Sequence, residues 1–133
     1  MENENIVKRG SVFTSRDPIN LNISGIISES FYTKNNKKYI NVELPHGIST
    51  QIYTIHEVFK KHMTKQNVQN PLSGNTLKLK VPFLRNRVMC KINGDKIVQE
   101  YKKGDEFNCV ITYCGVWAIG DFCGPSWKLE SVE

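Results

Sequence analysis

The stretch LNISGIISESFYTKNNKKYINVEL, residues 21–44, decides the fold. Segments 21–33 and 38–44 alternate apolar and polar side chains, the period of half-buried strands. Between them Lys34-Asn35-Asn36-Lys37 reads as a compact turn, because asparagine tolerates the positive φ that a two-residue hairpin loop demands. With the loop at Asn35-Asn36, Lys34 faces Lys37, Thr33 faces Lys38, Tyr32 faces Tyr39 and Phe31 faces Ile40. Alternation then sorts the faces. Ile27, Phe31, Ile40, Val42 and Leu44 form a core side. Ser30, Tyr32, Lys34, Lys37, Tyr39 and Asn41 form a solvent side.

Working outward, Pro45-His46-Gly47 reads as a second turn and ISTQIYT (48–54) as another short strand. The period then changes. Ile55, Val58, Phe59 and His62 fit one face of a helix over 55–63, with Lys60 and Lys61 outside. Residues 64–75 are rich in Asn, Gln, Ser, Gly and Pro and read as a loop. In LKLKVPFL (77–84), Leu77, Leu79, Val81 and Phe83 share one face and Lys78 and Lys80 the other. Pro82 cannot donate to a ladder, which puts this strand at an edge or ends it in a bulge. RVMCKI (87–92), KIVQEY (96–101), EFNCVITYCGVW (106–117) and SWKLESV (126–132) complete the strand candidates. This order predicts a mainly β fold: a small OB-like Greek-key β-barrel with one short helix between its third and fourth strands. SH3-like and double-psi barrels also stay open. The chain reads as a single nucleic-acid-binding domain over 1–133, with polar residues 1–10 flexible.

Charge is sorted along the chain. Residues 34–91 hold eleven basic side chains against two acids, Glu43 and Glu57, for a local charge of +9, while the rest carries −4. A basic block with aromatics inside it points to a polyanion partner, and nucleic acid is the commonest one. The bland alternative is a solubilising surface. No apolar run approaches transmembrane length, and MENENIVKRG lacks the apolar core of a secretory signal. An intracellular chain is therefore expected, in the cytoplasm or nucleus of a cell that includes a virus-infected host, with no membrane partner and its four cysteines reduced.

The hairpin's solvent side is the most readable site. Tyr32 and Tyr39 beside Lys34, Lys37 and Lys38 make a base-stacking platform with phosphate contacts next to it. Lys34 opposite Lys37 is mildly destabilising, which a function requiring positive charge there explains. A soluble hairpin with strand-favouring tyrosines is the structural alternative. Lys78, Lys80, Arg85, Arg87 and Lys91 form a second basic element. The two arginines flank Asn86 at a strand turn, where guanidinium groups reach phosphates or stack on bases. Lys78 and Lys80 also suit a charged edge strand. Trp127 alternates with Lys128, so the indole goes to the core and Lys128 to the binding side. Trp117, nearer the loop AIGDFCGPS, joins the candidate binding residues.

Other chemistry finds no support. Cysteines at 90, 109, 114 and 123 contain no C-x-x-C, and Cys109 and Cys114 face opposite sides of one strand. His56 and His62 are six apart, which suits neither one helical face nor a standard zinc spacing. No cofactor and no metal are expected. No G-x-S-x-G, P-loop, H-E-x-x-H or D-x-D cluster is present, so no enzyme is expected.

The run YKKGDEFNCVITYCGVWAIGDFCGPSWKLESV (101–132) resembles the closing strands of OB-fold single-stranded-DNA-binding proteins of large DNA viruses and phages. The matching residues are Lys103-Gly104-Asp105, then Gly115-Val116-Trp117, then Gly124-Pro125-Ser126-Trp127-Lys128-Leu129 with Val132. The resemblance covers the last 35 or so residues, and the first hairpin matches only in general shape. It implies sequence-independent binding of single strands in viral DNA replication, recombination or repair. An acidic C-terminal tail of the bacterial type is not present, so tail-mediated recruitment of partner enzymes does not carry over. Single-stranded DNA is thus the expected partner, with RNA and homo-oligomers open. The competing readings are a structural or protein-interaction β-barrel module and an RNA-binding OB domain.

Overall fold

The computed structural model describes residues 5–133. In chain order the elements are β1 (Ile6–Arg9), β2 (Val12–Ser15), β3 (Asn20–Lys34), β4 (Lys37–Glu43), α1 (His46–Phe59), β5 (Asn67–Val68), β6 (Leu72–Ser73), β7 (Thr76–Lys80), β8 (Phe83–Leu84), β9 (Arg87–Val88), β10 (Lys91–Ile92), β11 (Glu106–Ile119) and β12 (Phe122–Val132). Five of them close a circle, β3–β4–β7–β12–β11 and back to β3. The neighbours run antiparallel except β7 and β12, which run parallel and meet at one pair, Lys80 with Lys128. This is a mainly β, OB-like barrel with one short helix, the fold class expected.

The first hairpin forms as read. Asn35 and Asn36 adopt φ of 53° and 65°. Lys34 pairs with Lys37, Thr33 with Lys38 and Tyr32 with Tyr39. Below Tyr32 the register shifts twice, around Glu29. Such bulges raise local twist and let a 15-residue strand curve around the barrel. Ile27, Ile40, Val42 and Leu44 are buried as expected, whereas Phe31 is only half-buried near the hairpin's tip.

The core gathers the inward residues of all five strands. Ile23, Ile27, Ile40, Val42, Leu77, Leu79, Phe107, Ile111, Trp127 and Leu129 are essentially inaccessible to solvent. Ile52 and Phe59 of α1 join them. Phe59 meets Tyr113 edge-on, with ring centroids 4.8 Å apart. Burial on this scale contributes roughly 1.5–3 kcal/mol for each large side chain. Gly115 adopts φ of 99°, and a Cβ there would strike the Phe13 carbonyl. Its glycine lets β2 lie against β11 at Val116.

Several readings are corrected. Residues 48–54 are not a strand, because α1 begins at His46 and carries Ile48, Ile52, Ile55 and Phe59 at helical spacing. Packing of Ile52 and His56 into the core overrides the strand preference of Ile, Thr and Tyr. The helix accordingly lies between the second and third barrel strands, not the third and fourth. His62 leaves the helical face in a 3₁₀ turn, Lys60–His62, and stacks on Phe13 at 4.2 Å. Segment 96–101 is irregular apart from a 3₁₀ turn at Val98–Glu100. Residues 118–126 are not a loop: β11 and β12 continue to a tight turn at Gly120-Asp121, where Ile119 pairs with Phe122. Of the terminal segment 1–10, residues 1–4 lie outside the described residues, and Ile6–Arg9 form β1, paired with β2.

Candidate nucleic-acid interface

Strand alternation turns Lys37, Tyr39 and Asn41 of β4 outward, and Lys78 and Lys80 of β7 likewise. Their register sets Tyr39 beside Lys80 and Asn41 beside Lys78. Lys34, across the hairpin from Lys37, completes a group of four lysines with Lys78 and Lys80. A cleft of about 460 Å³ opens over this group. Its floor is Tyr39 and the lysines, and its far wall is the β11–β12 hairpin with Trp117, Ile119 and Phe122. Segment 69–71 forms one end.

The tyrosines differ from the expectation of two free rings. Tyr39 is only 9 % exposed, and the Lys78 ammonium sits 4.7 Å from its ring centroid. Tyr32 is half-buried, 5.7 Å from Tyr39 between ring centroids. Its hydroxyl donates to Asn41 Oδ1 at 2.8 Å, and Asn41 Nδ2 donates to Glu29 Oε2 at 3.1 Å. This chain of bonds ties Tyr32 to the sheet surface. The face assignment holds, but Lys78 covers the Tyr39 ring, and Tyr32 is half-buried beside it.

The electrostatics of the floor are one-sided. Burial lowers the Lys78 pKa, and Lys34 and Lys80 lower it further. Burial likewise lowers that of Lys80, with Lys37 adding to it. Among the described residues the ion pairs are Lys60–Glu57, Lys96–Asp105 and Lys128–Glu130, and none involves the four lysines of the cleft. Clustered ammonium groups without a carboxylate repel each other, and a bound polyanion relieves that repulsion.

A second cleft of about 300 Å³ lies beyond Lys80. Lys37, Lys38, Lys80 and Lys128 line it, with Phe83 and Cys114. Lys37 and Lys80 thus belong to both clefts. The β8–β9 hairpin rises at its rim, with Phe83 6.1 Å from Phe31 and the Lys38 ammonium 5.2 Å from the Phe83 ring.

The fold therefore brings Lys34, Lys37, Tyr39, Lys78, Lys80 and Trp117 into the first cleft, and Lys38 and Lys128 into the second. Tyr32 lies beside them and lines neither. Arg85 and Arg87 are exposed at the β8–β9 turn, outside both clefts. Lys91, paired with Ser131 near the end of β12, is not brought to the site. Trp127 is fully buried, as read from its alternation with Lys128. Sequence reasoning missed Phe122, because 118–126 looked like a loop. The signal was Gly120-Asp121 between two alternating runs, which is itself a hairpin turn.

All four cysteines carry free thiols, with Cys109 and Cys123 buried and Cys90 and Cys114 half-buried. No group of three His, Cys, Asp or Glu among the described residues is placed to hold a metal. No helix among them is long and apolar enough to cross a membrane. No protein-family model, curated protein or solved structure matches this chain.

Proposed function

We propose that this protein is a sequence-independent single-stranded-DNA-binding protein, acting without catalysis in DNA replication, recombination or repair, and related to the viral and phage OB-fold proteins that its last third resembles. The observation that carries this reading is the group of four lysines, without carboxylate partners among the described residues, on the floor of a cleft walled by Trp117. Phosphates suit the floor, and an unpaired base suits the wall. Duplex DNA stacks its bases on one another and withholds those faces. Apart from the lysines, which suit phosphates, the polar side chains lining the cleft are few, chiefly Asn35, Gln69, Asn70 and Ser126, which favours sequence tolerance.

Fluorescence anisotropy on single-stranded and duplex DNA and RNA of equal length tests the reading. Single strands should bind more tightly than duplex. With four to six phosphate contacts the log–log salt slope should be about −3 to −4. Equal or tighter duplex binding, or a flat salt dependence, would sink it. A preference for RNA would favour the RNA-binding alternative.

A further inference from the structure

We propose that the two clefts divide a bound strand between them: the first takes bases against Trp117 and Phe122, and the second takes only sugar–phosphate. This rests on the single-strand reading above and adds a distribution of roles to it.

The argument begins with which aromatic rings are open. In the first cleft Tyr39 is covered, its ring facing the Lys78 ammonium. Trp117 and Phe122 are not so covered: Phe122 is 47 % exposed and Trp117 is partly exposed. The β11–β12 register pairs Trp117 with Gly124 and Ile119 with Phe122. Residues two apart on one strand, and residues directly paired across strands, share a face. Trp117, Ile119 and Phe122 therefore stand on one face of the hairpin, aimed into the cleft. Gly124, which shares that face, is buried under the Gln69 backbone, which closes the end of the wall beyond Phe122. An apolar, aromatic wall facing four ammonium groups fits a nucleotide with its base on one side and its phosphate on the other.

The second cleft has the opposite character. Its one aromatic ring, Phe83, lies under the Lys38 ammonium and against Phe31. Phe83 is half-buried and engaged by both neighbours, so it offers a base less than the exposed Phe122 does. What remains is positive charge from Lys37, Lys38, Lys80 and Lys128. Lys128 has Glu130 at 3.7 Å, an exposed pair that a phosphate can replace at little cost. Lys37 and Lys80 line both clefts, so one continuous backbone can run across them from the first into the second.

The test compares a thymidylate oligonucleotide with an abasic oligomer of the same length and phosphate number. Phe122→Ala should weaken thymidylate binding about tenfold, the loss of one stacked base, and leave abasic binding within twofold. Lys128→Ala should weaken both by the same factor. Thymidylate should quench the Trp117 fluorescence, and the abasic oligomer should not. The exposed position of Phe122 keeps the fold intact, which thermal melting checks. Equal weakening of both ligands by Phe122→Ala, or of neither, overturns the division, as does equal quenching by both. If the wild type binds neither oligomer, the single-strand reading fails as well, and the two failures are told apart by that control.

Discussion

Trp127 Nε1 donates a hydrogen bond to His56 Nε2 at 3.0 Å, joining α1 to the last barrel strand inside the core. An accepting Nε2 fixes His56 as the neutral tautomer with its proton on Nδ1. Burial drives its pKa down from 6.5 to about 4. Between those values the unfolded chain binds the proton and the folded chain does not. Stability from this residue is therefore fully present above about pH 6.5 and is lost as pH falls toward 4. The loss should amount to roughly 2–3 kcal/mol. Urea unfolding at pH 7 and pH 4.5 measures it. His56→Gln keeps an acceptor without the titration, so its pH dependence should be shallower. Equal dependence in both proteins would refute the assignment.

Tyr32 and Tyr39 should respond differently to mutation. Tyr32→Phe removes the hydroxyl that donates to Asn41 and should cost about 0.5–1.5 kcal/mol of stability, with oligonucleotide affinity unchanged. Tyr39→Ala removes a ring that is only 9 % exposed and should cost about 2–4 kcal/mol. It should also weaken binding, since Lys78 loses the ring that positions its ammonium. Thermal melts and anisotropy on both variants separate the two roles.

Lys34→Glu should make the protein more stable and a poorer binder. Lys34 pairs directly with Lys37 and lowers the Lys78 pKa by repulsion. A carboxylate there turns like-charge pairs into opposite ones, worth about 0.5–1 kcal/mol. Affinity for single strands should fall, and the salt slope should become shallower by roughly 1. A variant that is less stable, or that binds as well as the wild type, removes the argument that the lysines are held together for a ligand.

Arg85 occupies the first position of a two-residue turn with φ of 52°, followed by Asn86 at 65°. A left-handed backbone costs an ordinary side chain roughly 1 kcal/mol, and asparagine less. Arg85→Asn should therefore raise the melting temperature. If the arginine contacts nucleic acid, affinity should drop at the same time. Unchanged affinity would leave the β8–β9 hairpin outside the binding surface.

The first hairpin was readable in the sequence because its determinants are local. Asn35-Asn36 sets the turn, and the turn sets the register down to Tyr32 and Tyr39. The outward placing of Lys34, Lys37, Lys78 and Lys80 followed from alternation alone. Trp127 was assigned to the core by the same rule. The start of α1 was not readable, because residues 48–54 favour strands and only the core's need for Ile52 and His56 makes them helical. The covering of Tyr39 was hidden for a related reason: it depends on β7, about 40 residues away in the chain. Phe122 was missed because a two-residue turn at Gly120-Asp121 resembles the start of a longer loop. Lys91 shares its composition with the site but is carried by β10 to the far end of β12.

The parallel meeting of β7 and β12 has a mechanical consequence. Every other junction around the cylinder is laced by several paired residues, from five between β4 and β7 to ten between β11 and β12. This one is fastened at Lys80 and Lys128 alone. Breathing of the wall therefore starts there, beneath the ridge that both clefts share. On the proposed function, a strand of phosphates laid across Lys80 and Lys128 would act as a suture at this hem. On that reading occupancy and opening would be opposed, and the bound protein would be the tighter one.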